Sequence, residues 1–489
     1  MELTKLLNSV HAIQVTGETQ RKDVSSIEYD SRKIKKNDVF VAIKGFKTDG
    51  HKFIPDAINK RVAAIVVEDN NVIPDELIDH SGVAKILVKD SRKALAELSK
   101  GLYKNPSSKL KLIGITGTNG KTTTTYILKH ILQNSGNKTG LIGTIANYIG
   151  ETKIDSKLTT PESNDLNKFL SEMVKQNCSY AVMEVSSHSL VLDRVYALNF
   201  ATGIFTNITS DHLDFHKAFD EYFNAKKILF DGLSSNSFAL VNTDDKSSEK
   251  IVQNCKARVI KYGASESSDY KIRNISYDLS GTNFTITHQG FDYNIQTTLI
   301  GTFNAFNATA AFATAHSLGI EKSVIVESIK STPQVSGRFE VIGKGSKKVI
   351  VDYSHTADSL EKALQATREI VRNDYEIVTV FGCGGDRDRT KRPEMGKIAS
   401  ELSDKLIITS DNPRTEDPFK IIEEIEKGIS KENYTVTENR EEAIRKAIES
   451  SNKNAVILIA GKGHENYQDI NGVRNHFSDQ EVARKYLSE

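Results

Sequence analysis

Leu112-Ile113-Gly114-Ile115-Thr116-Gly117-Thr118-Asn119-Gly120-Lys121-Thr122-Thr123 sets the reading of the whole chain. The run from Leu112 to Thr116 has the length and apolarity of a buried strand, and Ile127, Ile131 and Leu132 recur beyond it at helical spacing until Gly136. A strand passing straight into a helix through a glycine turn is the opening unit of a parallel α/β sheet. The turn itself suits phosphate. Glycines let backbone N–H groups close around anionic oxygens, Lys121 reaches terminal phosphates, and the Thr122 hydroxyl can serve Mg²⁺. The helix points its positive end at the same place. A strict phosphate loop has Gly five residues before Gly120, where this chain has Ile115, so the loop is a variant. Gly117, Thr118, Asn119, Gly120, Lys121, Thr122 and Thr123 are the candidate ATP-binding residues. The competing reading is an ordinary glycine-rich turn.

Outward from this stretch the chain divides into three α/β segments, expected at residues 1–105, 106–335 and 336–489. The first alternates helical patterns with short strand-like runs at Val39 to Ile43, Ala63 to Val67 and Ile86 to Val88. Asn105-Pro106-Ser107-Ser108 then breaks the pattern and reads as a linker. The central segment continues with strands at Tyr180 to Val185 and Gly203 to Asn207. It also has antiparallel strands between residues 268 and 300, joined at Gln289-Gly290, and a helix from Ala305 to Leu318. The third has apolar runs at Val349 to Val351, Ile377 to Phe381, Leu406 to Ile408 and Val456 to Ala460. They are followed at once by DYSH, GCGGDRD, SDNPR and GKGHE. In open parallel sheets, ligands sit beyond the carboxyl ends of the strands, so these loops are expected to converge on one edge.

The chain has 489 residues, too many for one ordinary core. Lys+Arg 65 against Asp+Glu 64 leaves a net charge of +1, so no global field draws it to nucleic acid or an anionic membrane. Cys178, Cys255 and Cys383 form neither a disulfide framework nor a CxxC site, which fits a reducing, cytoplasmic setting. The start, MELTKLLNSVHAIQ, is too polar for a signal peptide, and no run is long enough to span a membrane.

Glu184, at a strand end before Val185-Ser186-Ser187-His188, is a candidate oxygen ligand for Mg²⁺; its alternative is a buried structural carboxylate. The Ser–His neighbours lack the G-x-S-x-G elbow of a hydrolase. Asn207 to His216 packs two His and two Asp into ten residues. A second magnesium site beside ATP, with His212 as ligand, competes there with a zinc cluster that no Cys supports. Lys226 reads by default as a solvated helix residue.

These residues, taken in order, resemble the Mur ligase family, and within it the member that adds the third amino acid of the peptide. The matching motifs run the length of the chain. They are Asp30-Ser31-Arg32, Gly45 to Phe53, TGTNGKTT from Thr116, EVSSH from Glu184, TNITSDHLDFH from Thr206 and GTFNAFNATAA from Gly301. SGRFE from Ser336, DYSH from Asp352, GCGGDRDRTKRP from Gly382, DNPRTEDP from Asp411 and AGKGHENYQ from Ala460 complete the set.

The resemblance implies a uridine-nucleotide domain, a central ATPase domain with a parallel sheet and a small antiparallel one, and a C-terminal Rossmann-like domain. It implies an ATP-dependent ligase, expected as a monomer, that joins meso-diaminopimelate to UDP-N-acetylmuramoyl-L-alanyl-D-glutamate through an acyl phosphate. By similarity Ser31, Thr159, Thr160, Ser186 and Arg194 hold the nucleotide-linked peptide, with Leu192 where the family often has Gln. Asn304, Arg338, Asp352 and His355 surround ATP, and Lys226 carries a CO₂-derived carbamate that helps hold a second Mg²⁺. Ser354 and Ala357 depart from the family's Ala and Pro, with little effect expected. Arg387, Asp411, Asn412, Pro413, Arg414, Gly461 and Glu465 read the amino acid. Arg414 can grip the second carboxylate of diaminopimelate in a bidentate fork, and lysine offers none; the other reading makes Arg414 a surface loop residue. A lysine-adding relative, a folylpolyglutamate synthase-like ligase and a P-loop regulatory NTPase are the alternatives.

Overall fold

The computed structural model describes residues 1–45, 48–209, 213–216, 218–343, 345–372 and 374–487, with only the backbone described at 213 and 214. Three large sheets in chain order organise them, with a fourth, two-stranded sheet of Tyr467–Ile470 and Val473–His476. The first, of five strands, is parallel from Ile27–Glu28 through Val39–Val41 and Ala64–Val67 to Ala84–Val88, and Ala12–Thr16 closes it antiparallel. Leu95 and Leu98 cover one face and Ile54 and Ile78 the other. The expected linker is a docked turn: Pro106–Ser108 is a short 3₁₀ helix, and the buried Ser107 hydroxyl oxygen accepts from Asn199 N at 3.1 Å.

The central sheet has eleven strands, and Lys111–Thr116 lies inside it between Phe200–Phe205 and Tyr180–Glu184, parallel to both. Alternate side chains explain the layers. Ile113 and Ile115 enter the core beneath helices Lys121–Asn134 and Thr302–Ser317, whereas Leu112 enters the opposite core with Leu166, Leu170 and Phe230. Helix Thr302–Ser317, three residues longer at its start than expected, is buried nearly all round. Its alanines allow that close approach. The antiparallel strands Tyr270–Asp278, Gly281–His288 and Phe291–Thr297 continue the same sheet through Arg258–Gly263. Gln289 and Gly290, both with positive φ, make the two-residue hairpin turn.

The third sheet runs Glu340–Ile342, Lys347–Asp352, Ala455–Ala460, Glu376–Phe381, Lys405–Ile408, Tyr434–Val436, parallel except for its first strand. Its four central strands therefore end on one edge, and the loops named from sequence emerge there together. Among the described residues no helix is long and apolar enough to cross a membrane.

Candidate functional site

The chain turns from one side of Lys111–Thr116 to the other between its two neighbours, and a crevice opens at the carboxyl ends of strands at such a switch point. A cavity of about 720 Å³ occupies it, walled by the central and C-terminal domains. Gly117 is at φ 151°, and a Cβ there would lie 1.9 Å from Thr206 Oγ1, so no other residue fits the turn. Asn207 holds the loop, its carbonyl accepting from Thr118 N at 2.9 Å and its Oδ1 from Asn119 N at 3.0 Å. Helix Lys121–Asn134 begins at Gly120 with no side-chain cap, leaving its first N–H groups to an anion. The Lys121 ammonium curls over the loop and donates to the carbonyls of Gly117 and Thr118, both at 2.8 Å.

Parallel register sets Glu184 beside Ile115, at the mouth of the same turn. Its carboxylate is fully buried and accepts from Thr122 Oγ1 at 2.9 Å, Thr144 N at 2.8 Å and Thr144 Oγ1 at 3.0 Å. Arg338 crosses from the C-terminal side, donating to Thr122 Oγ1 at 3.2 Å while its guanidinium lies 4.6 Å over the Tyr353 ring. The atoms here that could hold a cation, the Glu184 carboxylate and the Thr122 hydroxyl, are oxygens, and no group of three or more His, Cys, Asp or Glu that could hold a metal occurs among the described residues. The set fits a hard cation that keeps much of its water, as Mg²⁺ does, and does not fit zinc. His212 and Asp211 lie outside the described residues. His216 is buried, and its Nε2 meets Ser187 Oγ at 2.9 Å.

Lys226 is not solvated. It is 1% exposed, donates to Gly117 O at 2.9 Å and sits 4.3 Å from the Tyr222 ring centre, on the cavity wall. Thr159, Ser186, Asp352 and His355 also reach that wall. Thr160 lies just behind it, its hydroxyl donating to Glu184 O at 2.8 Å, and Arg194 donates to Thr160 O at 3.1 Å and pairs with Glu162 at 2.8 Å. Ser31 stands apart in the first domain, its carbonyl accepting from Lys60 Nζ at 2.9 Å. Asn304 does not reach that wall: its side chain is buried against Ile300 O and Asn307, and Asn307 lines the cavity. Ser354 does more than its family counterpart could. Its hydroxyl is within hydrogen-bond reach of Asp352, whose other oxygen accepts from Phe339 N at 2.7 Å.

A second constellation lies on the edge of the third sheet, away from the cavity wall. Arg414 adopts φ 52°, its backbone N–H donates to Asp469 O at 3.0 Å, and its guanidinium donates to Gly385 O. Asn412 Nδ2 donates to Glu465 Oε2 at 2.8 Å, and Gly461 packs so closely that an added Cβ would meet Asp411 Oδ2 at 2.5 Å. Asp411 and Pro413 are buried in this loop, and Arg387 is exposed at the tip of the next. Burial, then the neighbouring Asp411, raises the pKa of Glu465. Burial, aided by Arg338, pushes the His464 imidazole down to about 3, and burial pushes the Cys383 thiol up to about 12, which leaves it unreactive.

Sequence reading passed over Thr144, which binds both Glu184 oxygens, and Asp358, which accepts from Asn119 Nδ2 and Thr209 Oγ1, both at 3.3 Å, across the domain junction. Thr144 sits in no motif, whereas Asp358 ends the DYSHTAD stretch from Asp352, where no role was assigned to it. Asn307 was within sight, one turn along the helix from Asn304.

The chain matches three family models: "Mur ligase family, catalytic domain" at residues 23–103, "Mur ligase middle domain" at 115–315, and "Mur ligase, glutamate ligase domain" at 337–463. It is 44% identical over 492 residues to UDP-N-acetylmuramoyl-L-alanyl-D-glutamate--2,6-diaminopimelate ligase 1 of Clostridium acetobutylicum, covering 100% of both chains. It is 46% identical over 472 residues to the ligase of the same name from Clostridium botulinum, covering 96% of each. A solved structure of a UDP-N-acetylmuramoyl-L-alanyl-D-glutamate--2,6-diaminopimelate ligase superposes with a TM-score of 0.71 at 28% identity, over 99% of this chain and 98% of that one.

Proposed function

This chain belongs to the Mur ligase family, and from that premise we propose that it joins meso-2,6-diaminopimelate to UDP-N-acetylmuramoyl-L-alanyl-D-glutamate at the expense of ATP. The observation that carries this reading is the meeting of Lys121, Thr122, Glu184 and Arg338 at one cavity between two domains, with the Asp411 to Arg414 loop presented separately for an amino acid. Working boundaries of 1–105, 106–335 and 336–489 assign these tasks to nucleotide-sugar, ATP and amino-acid domains. The full-length relatives at 44–46% identity favour diaminopimelate over lysine, and a half-buried Arg414 left without a carboxylate would penalise lysine. Peptidoglycan precursors are made in the cytoplasm, and the reading places the chain there as a monomer.

A carboxylate is a poor electrophile, so the γ-phosphoryl group of ATP is first transferred to the D-glutamyl carboxylate. The loop N–H groups, Lys121 and Arg338 hold the phosphates and the charge that spreads over them during transfer. Mg²⁺, held by Thr122 and Glu184, would supply further positive charge at the phosphate oxygens. Lys226, buried on the cavity wall beside the Gly117 carbonyl, is the residue assigned to the carbamate that a lysine amine forms with CO₂. The amine of the amino acid then attacks the acyl carbon, the tetrahedral centre collapses, and inorganic phosphate leaves. Arg414 is not among the residues lining the cavity; closure of the C-terminal domain toward the loop would bring it to the acyl phosphate and exclude water there.

The test is a ligation assay with the nucleotide-linked dipeptide, ATP and Mg²⁺, offering diaminopimelate and lysine separately. Tripeptide product and ADP with diaminopimelate alone support the reading. Product with lysine alone, or ATP turnover without any amide product, rejects it.

A further inference from the structure

Lys462 is a fully buried ammonium that the reaction above does not use. Taking such a group out of water costs several kcal/mol unless close partners compensate it. Its partners all belong to the amino-acid loops. It donates to Asn412 Oδ1 at 3.0 Å, lies 3.6 Å from Glu465 Oε2, and stands 5.5 Å from the Tyr467 ring centre. Asn412 Oδ1 also accepts from Asp469 N at 2.9 Å. Two donors on that oxygen fix the amide, so Nδ2 has to point at Glu465 Oε2, where it donates at 2.8 Å. Lysine, asparagine and glutamate thus close a triangle across two loops.

We propose that Lys462 is a positioning residue for the amino-acid site: it orients Asn412 and keeps the Glu465 carboxylate ionised to receive the ammonium group of the incoming amino acid. This rests on the assignment of these loops to the amino acid. Glu465 needs such help. Burial and Asp411 both oppose its charge, and Lys462, the Asn412 bond and Arg414 favour it, with Lys462 first among them. Arg440, Tyr353 and Tyr467 also face it. Arg440 is largely committed elsewhere, both of its bonds to Asp479 being 2.8 Å.

The test is Lys462→Met, followed by steady-state ligation from about pH 6 to about pH 8.5. Without its cation the carboxylate holds its proton to higher pH than in the unaltered protein, so the loss should be largest at the acid end of the range and shrink as pH rises. The KM for diaminopimelate should rise about tenfold or more at neutral pH and fall back at alkaline pH, with the KM for ATP within about twofold. In a Glu465→Gln background the same substitution should have a much smaller effect. Should the Met variant not fold, Lys462→Arg serves: it keeps the charge but not the single-point geometry, so the KM for diaminopimelate should rise by one factor at every pH. A Met variant whose KM is unchanged or shifts equally at all pH values, or an Arg variant with both KM values unchanged or moving together, overturns the proposal. If the unaltered protein makes no product with diaminopimelate, the functional reading fails first, separately from the role of Lys462.

Discussion

Replacing Glu184 by Gln changes the cavity by one charge and almost no volume. The carboxylate accepts three bonds, from Thr122 Oγ1, Thr144 N and Thr144 Oγ1, at 2.8 to 3.0 Å. A bond to an ionised acceptor is worth about 1.5–3 kcal/mol and a neutral one about 0.5–1.5. An amide keeps one accepting oxygen, for Thr144 N, and turns its NH₂ toward two hydroxyls that can rotate to accept. The ordered site should therefore survive at a cost of about 2–4 kcal/mol. Cation binding fares worse, because the buried negative charge is gone. Expressed as rate, the same energy is about 30-fold to 700-fold in ADP formation, at about 1.4 kcal/mol per factor of ten. The assay is ADP formation with all substrates present, titrated with Mg²⁺. Half-saturation should move to much higher Mg²⁺, with the KM for the nucleotide-linked dipeptide little changed. A Glu184→Gln protein with the unaltered Mg²⁺ requirement would remove Glu184 from the cation site and leave it a structural carboxylate.

Arg414→Ala should raise the KM for diaminopimelate about a hundredfold, the worth of two charge-assisted bonds, with the KM for ATP little affected; equal changes in both would end its recognition role. Lys226→Ala should lose most activity and regain part of it with formate or acetate, which restore an anion where the carbamate would be; full activity without them contradicts the carbamate. His464 stays neutral in the folded chain down to about 3 and takes a proton near 6.5 when unfolded. The unfolded state then binds more protons between those values, so stability should fall as pH drops from about 6.5 toward about 3. Thermal unfolding of His464→Gln should show a flatter pH dependence over that window, and an identical slope would contradict the burial argument.

The parts legible in the sequence were those where short range dictates geometry. Lys111–Thr116 and the glycine turn after it could be read because an apolar run, a turn and a helical period follow one another without a gap. The same applies to the third sheet, where four runs and four polar loops announce a single edge. The edge strand Ala12–Thr16 was missed because it is short and its alternating Ile13 and Val15 face solvent instead of a core. Partners distant in the chain were hidden as well: Thr144 and Glu184 are joined only by the order of strands, and Asp358 reaches Asn119 only across a domain junction. Lys226 shows the limit most plainly. Its neighbours in sequence are those of a surface helix, and only the fold buries it beside Gly117.

The most direct measurement follows oxygen. With ¹⁸O in the γ-carboxyl group of the D-glutamyl residue, one labelled oxygen should appear in the inorganic phosphate for each amide bond formed. Amide product accompanied by unlabelled phosphate would show that no acyl phosphate forms, and that the loop around Lys121 serves some other chemistry.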